Sequence, residues 1–421
     1  MMNEIYLDNA AATKMGEEVV DEMKGFYSEK YGNPSSFHYK GLEAKNAILN
    51  ARLKIAKILN CESDEIIFTG GGTESINLAL KGVAFANKEN SGQNATQLPE
   101  FSNGQFLKTC NLTNRIIHKN KKHIITSKIE HPAVLNSCKW LEKQGFEVSY
   151  VNVDKEGIVI IDELIKAIRK DTLLISVMYA NNEIGSIQPI EEIGKIAQDR
   201  GIYFHSDGCQ AAGTLPIDVS KLGVDLLTLN AGKIYGPKGV GLLYVKKGVK
   251  IEPWIQGGEQ EKGLRAGTEN VPGIVGFAKA LEIAQKNKEI ENKRLVKLRD
   301  RLTNGLLKIK DSRLNGHGTK RLPNNVNISF FDVEGESILL HLNEKGIFAS
   351  TGSACSSHSL EPSHVLIAIG LPHEVAHGSI RFSLGRETNE KDIDYVIKTV
   401  PEIINKLRKI SPVKMNRGGK I

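Results

Sequence analysis

The sequence has no CxxC pair, no apolar run of membrane-spanning length, no secretory leader at its start, no basic stripe and no internal repeat. Each absence excludes something. Five cysteines, Cys61, Cys110, Cys138, Cys209 and Cys355, are scattered over 421 residues, which argues against a zinc site and against a disulfide framework. No metal is expected, and each thiol is read alone. Without a membrane-length run, and with ordinary values of 40% hydrophobic and 25% charged residues, the chain is expected to be soluble with no membrane partner. The start, "MMNEIYLDNAAATKMG", lacks the basic region and apolar core of a leader, which makes the cytoplasm the expected compartment. The formal charge of +7 is modest and the lysines lie among acidic residues, so no direct nucleic-acid partner is expected.

At this length one large domain plus a smaller one is expected. Short apolar runs, "DEIIFTG", "KKHIIT", "TLLISVM", "GIYFHSD" and "VDLLTLN", alternate with helix-like stretches such as "TESINLALKGVAFAN" and "IEEIGKIAQDRG". That alternation predicts an α/β fold with a mostly parallel sheet covered by helices on both faces. The pattern changes after about Gly273, where a long charged helical stretch leads into the shorter strands "NVNISFF" and "SIRFSLG" and a closing amphipathic helix, an α+β pattern. Residues 87–120, Asn-rich and broken by Gly and Pro, predict a surface insertion, and "SPVKMNRGGKI" reads as a loose basic tail. The triplets "NAT" and "NLT" match a glycosylation acceptor, but without a leader they are read as accidental.

Ligands of open α/β sheets bind beyond the carboxyl ends of the strands, so residues that follow strands come first. After "IIF" comes "TGGGTES", where glycines let backbone approach a ligand and Thr73 and Glu74 open a helix whose free N–H groups suit a phosphate. A tight turn with Thr73 as helix cap weighs the same on this stretch alone. No GK[ST] follows, so it is not a nucleotide-binding P-loop. In "KIEHPAV", His131 precedes Pro132 on a loop, where a lone histidine is more often a hydrogen-bonded structural residue. In "FHSDGCQAAG", Asp207 ends a strand and Gln210 follows; in isolation a cap is the better reading of the carboxylate. The fourth place is Lys233 in "LNAGKIYGPKG". Together, a phosphate seat, a flat ring, a carboxylate and an amine at neighbouring strand ends are what pyridoxal 5'-phosphate requires. Lys233 would bond its aldehyde and Asp207 would keep its ring nitrogen protonated.

The chain resembles the cysteine desulfurases of the class-V aminotransferase family. The resemblance rests on "YLDNAAAT", "YGNPSSFH", "FTGGGTES", "EHPAV", "SVMYANNEIGSIQP", "FHSDGCQAAG", "KIYGPKGVG", "GGEQEKGLRAGTEN", "STGSACSS" and "SIRFSLGR", in that order along almost the whole length. It implies a fold-type I homodimer with a large cofactor-binding domain over 16–265, built on a seven-stranded sheet, and a small domain over 1–15 and 266–421. It implies Lys233 as the Schiff-base lysine, Asp207 on the pyridine nitrogen, Gln210 on the ring hydroxyl and His131 stacked on the ring and passing protons. Gly72, Thr73 and Asn230 would hold the phosphate, with Thr268 reaching in from the other subunit. Asn182 and Arg381 would hold the carboxylate of L-cysteine, and an arginine inside a strand is costly without an anionic partner. Cys355, on a loop of small residues with Gly352 as hinge, would take the substrate sulfur as a persulfide and leave alanine. The implied partner is a sulfur acceptor, such as an iron–sulfur scaffold or a tRNA-thiolation enzyme.

Two departures from the family pattern stand out. A serine and a histidine usually precede the lysine in a "SAHK"-like run and help hold the phosphate; here Asn230 and Gly232 stand instead. Losing a charge-assisted hydrogen bond implies weaker cofactor binding, by ~1 kcal/mol or more, and predicts that Gly232→His tightens it. The other departure is the insertion. A selenocysteine lyase or another lyase of the family keeps the cofactor and differs in its need for Cys355. A weakened homologue serving as a scaffold for a sulfur acceptor is favoured slightly by the missing phosphate ligands, and disfavoured more by the intact remainder.

Overall fold

Apolar runs of four or five residues form the main strands, and the periodic stretches between them form helices. The computed structural model describes residues 4–88, 121–352 and 362–410, so most of the expected insertion and the cysteine loop with Cys355 lie outside the described residues. In chain order the strands are β1 (Ile5–Tyr6), β2 (Ile66–Thr69), β3 (His123–Ser127), β4 (Glu147–Val151), β5 (Thr172–Ser176), β6 (Tyr203–Asp207), β7 (Leu226–Asn230), β8 (Gly241–Val245), β9 (Ser312–Leu314), β10 (Asn325–Phe330), β11 (Ile347–Phe348) and β12 (Ser379–Ser383).

Seven of them form one sheet in the order β2-β8-β7-β6-β5-β3-β4. β8 alone runs against the direction of the other six, in line with the α/β expectation of a mostly parallel sheet. Every residue of β5 is buried, which is why its sequence is a nearly continuous apolar run rather than an alternation. Polar residues inside the sheet are paired. His205 bonds Ser176 Oγ at 2.9 Å through Nδ1 and Thr228 Oγ1 at 3.0 Å through Nε2, and burial lowers its pKa to about 4, so it tethers three strands as a neutral ring. Chain connections leave β3 and β5 in opposite directions along the sheet. The crevice beyond their carboxyl ends is therefore the expected ligand position.

The remaining strands form an antiparallel β12-β10-β9 sheet and a parallel β1-β11 pair. Ile5 and Leu7 join Phe330, Phe382, Val396 and others in a second apolar core, closed by the helix Glu390–Ile410. The 36-residue helix Val271–Leu306 links the two cores, with Val271 to Ala284 packed in the first and Leu295 to Leu306 in the second. Thus the chain's first strand pairs with β11, and Asp8, just after it, bridges to Ser383 at the end of β12. No helix among the described residues is long and apolar enough to cross a membrane.

Candidate active site

Four parallel strands deliver polar side chains to one crevice. β2 leads into Gly70 and Gly71, and the helix Gly72–Ala86 starts at Gly72 with Gly71 as its cap position and no side-chain cap. This corrects the reading of Thr73 as the cap. Gly71 has φ +151°, which a side chain rarely adopts, so the chain turns into the helix before Thr73. The first N–H groups of that helix are left for a ligand. A Cβ on Gly72 would lie 2.9 Å from Cys209 Sγ, so only glycine lets the helix start sit this close to the loop after β6.

β3 leads to Glu130 and His131. His131 caps the helix Pro132–Lys143, its Nδ1 accepting the Ala133 N–H at 3.1 Å, which places the proton of the neutral ring on Nε2. From β6, Asp207 Oδ1 accepts the Cys209 N–H at 3.0 Å, and Gln210 Nε2 donates to the Ala10 carbonyl at 2.9 Å. β7 ends at Asn230, whose Oδ1 accepts the Gly232 N–H at 3.2 Å, and a single 3-10 turn then carries Lys233 into the crevice. Lys233 Nζ donates to the carbonyls of Ala10, at 3.1 Å, and Ala11. Gln210, expected at the ring hydroxyl, and Lys233, expected at the aldehyde, thus converge on the backbone carbonyls of Ala10 and Ala11.

A cavity of about 300 Å³ is lined by Gly72, Thr73, His131, Asn182, Asp207, Gln210, Asn230, Lys233 and Arg381. It adjoins a second, of about 660 Å³, which shares Gly72, Thr73, Asn230 and Lys233. All the expected site residues of the described chain meet there except Thr268, which is exposed and lines neither cavity. Cys355 lies outside the described residues, but Gly352 before its loop and His364 after it both line the smaller cavity. Cys209, also on the wall, is an unsuitable thiolate, because burial raises its pKa far above the usual value.

Arg381 is 2% exposed, and its anionic partner turns out to lie within the chain: Nη2 donates to Asp8 Oδ1 at 2.8 Å and Nη1 to the Asn182 carbonyl at 3.0 Å. Its Nε is buried with no partner among the described residues. A donor left over beside the cavity fits a substrate carboxylate. The residues likewise fit pyridoxal phosphate: an uncapped helix start, an amine on acceptor carbonyls, a strand-end carboxylate and a ring fixed by its cap.

The class-V aminotransferase model matches residues 5–95 and 107–396, and the break between the two stretches falls inside the expected insertion. The chain belongs to the class-V aminotransferase family. Within this family it is 55% identical over 409 residues to a cysteine desulfurase IscS of Methanosarcina thermophila, covering 97% of this chain and 94% of that one. It is 54% identical over 417 residues to the cysteine desulfurase IscS of Dictyoglomus turgidum, covering 98% of both. A solved NifS-like protein superposes with a TM-score of 0.84 at 40% identity, over 96% of this chain and all of that one.

Three groups around this class-V site escaped the sequence reading. Glu130 is fully buried, with Oε1 accepting from Ser127 Oγ and from the Met178 N–H at 2.9 Å and Oε2 without a partner among the described residues, and burial raises its pKa to about 8. Glu183 accepts from Ser363 Oγ and lies against Gly352, so it touches the chain on both sides of the cysteine loop. Asp8 is the third. Each stood inside a quoted motif, and the only signal was a carboxylate next to one apolar residue.

Proposed function

We propose that the chain is a pyridoxal-phosphate-dependent cysteine desulfurase, which converts L-cysteine to L-alanine and carries the sulfur as a persulfide on Cys355. Full-length similarity to cysteine desulfurases supports the reaction, and one observation supports the site: Lys233, Asp207, His131 and Arg381 reach a single cavity from four separate strands.

When bound, pyridoxal phosphate would supply an electron sink for the pair released at the substrate α-carbon. The rest is the chain's work. The helix start at Gly72 and Thr73, with Asn230, would hold the phosphate, and Thr268 of a second subunit would close that end. Asp207 would keep the ring nitrogen protonated, while His131, immobilised by its cap bond, would lie on the ring face. Gln210 and Lys233 would leave the Ala10 and Ala11 carbonyls to meet the cofactor. Arg381 would turn its spare Nε toward the substrate carboxylate with Asn182 beside it, Asp8 having already held the guanidinium in place. Lys233 Nζ would take the α-proton and return a proton. In the overall exchange the cysteine C–S bond breaks and an S–S bond forms at Cys355. The electron pair and one proton go to the substrate β-carbon, so no external oxidant or reductant is needed. We infer a homodimer with separate large and small domains, a cytoplasmic location and a sulfur-acceptor protein of iron–sulfur assembly or tRNA thiolation.

The test is an absorbance spectrum of purified protein before and after L-cysteine, with alanine and sulfide measured. A cofactor band that changes on cysteine addition, with alanine formed, is expected. A colourless protein that pyridoxal phosphate cannot reconstitute contradicts the reading.

A further inference from the structure

At the phosphate end of the proposed cofactor site, Asn230 and Gly232 provide no charge. A dianion there would meet helix N–H groups and one amide, whose Oδ1 is already committed to the Gly232 N–H. The surroundings supply a cation from another direction. The ideal Cβ position on Gly232 lies 3.6 Å from Lys238 Cγ and 3.8 Å from Lys238 Cα, so the stem of Lys238 borders the space that a side chain at 232 would enter. Lys238 lines the same cavity as Gly70, Gly71, Thr73, Asn230 and Lys233.

The other charges near this wall are committed. Arg265 donates from Nε to Glu74 Oε1 at 2.9 Å, and Glu74 Oε2 also accepts the Gly70 N–H at 2.7 Å. Lys233 is held by the Ala10 and Ala11 carbonyls and belongs to the aldehyde end. Lys238 is exposed and makes no ion pair or hydrogen bond among the described residues. Three bonds separate its Cγ from the ammonium, enough to swing the charge across the glycine into the seat. A compact ammonium on a flexible stem suits a phosphate as a point charge.

Resting on the cofactor reading above, the geometry points to Lys238 as the phosphate-binding cation of this site, reaching across Gly232 to the dianion. The glycine then keeps the path open rather than marking a defect. The expectation that Gly232→His tightens cofactor binding is replaced, since an imidazole there would crowd the stem of a cation already in place.

The test titrates cofactor-free protein with pyridoxal phosphate and, separately, with pyridoxal, which has the aldehyde but no phosphate, following the absorbance of the bound species. Lys238→Met should raise the Kd for pyridoxal phosphate by about tenfold or more and leave that for pyridoxal within about twofold. Lys238→Arg should stay near the parent. Gly232→His should change little alone and recover part of the loss when combined with Lys238→Met. An unchanged Kd for pyridoxal phosphate in Lys238→Met, or an equal loss for both ligands, overturns the inference while leaving the cofactor site intact. A parent chain that takes up neither ligand overturns the cofactor reading and this inference with it.

Discussion

Lys233 is the residue on which the proposed chemistry turns, and its surroundings separate it from the other lysine nearby. Its amine sits between the Ala10 and Ala11 carbonyls inside the crevice, whereas Lys238 is exposed in the turn beyond. Lys233→Ala is therefore expected to remove the cofactor-bond absorbance and all turnover, while Lys238→Ala retains that absorbance at saturating cofactor; the reverse pattern would refute the assignment. Arg381 makes a different prediction. Its fork is shared between Asp8 and the cavity, so Arg381→Gln should raise KM for L-cysteine by about tenfold or more, with less effect on cofactor affinity. Glu130 supplies a pH signature. Burial raises its pKa from 4.5 to about 8, so the native state holds a proton that the unfolded chain has released. The stability linked to that proton is fully present below about pH 4.5 and is lost as pH rises through about 8. Glu130→Gln, which keeps the Oε1 acceptor, should lose less stability than the parent between those limits in denaturant titrations; identical pH profiles would show that Glu130 is not the titrating group.

Among the elements, the decisive one is the turn from β2 into the helix Gly72–Ala86. Gly72→Ala would drive a methyl into Cys209 Sγ and push the helix start out of the crevice, so cofactor affinity should fall. Cys209→Ala in the same chain should recover much of it, and Cys209→Ala alone should remain active; a double variant no better than Gly72→Ala would show that the contact is not the cause. This turn also shows what was legible in the sequence. Five of the seven strands, β2, β3, β5, β6 and β7, could be read because apolar runs alternate with longer periodic stretches, and Lys233, Asp207 and His131 because each ends or follows such a run. The helix start could not be placed to the residue, because Gly71 turns at φ +151° and forgoes a side-chain cap, a choice of backbone that three consecutive glycines leave open. The roles of Glu130, Glu183 and Asp8 were hidden for another reason: a carboxylate in sequence looks the same whether it ends in water or in a core, and burial and pairing are set by segments far away in the chain. Arg381 shows the point most clearly, since the need for an anion was legible in β12 while the Asp8 that meets it lies 373 residues earlier.

For the whole molecule, the apolar surface of one helix bears on assembly. Tyr39–Leu59 exposes Leu42, Leu49 and Leu53 by 46 to 50%, and Phe37 just before it is 96% exposed, a cost that a second subunit would remove. Sedimentation is expected to give twice the mass of the 46.3 kDa chain, and Leu49→Asp with Leu53→Asp should shift it toward the monomer and weaken cofactor binding, since the contact proposed for Thr268 would come from the other subunit. A monomeric parent with full activity would contradict that. Transfer of sulfur from L-cysteine to Cys355 is read by mass spectrometry of the chain after a brief reaction with L-cysteine in the absence of a sulfur acceptor. One added sulfur atom is expected on the peptide carrying Cys355, and none in Cys355→Ala, which should still bind cofactor and still change its spectrum on meeting cysteine. Added sulfur on Cys209 instead, or a Cys355→Ala chain that transfers sulfur as well as the parent, would contradict it.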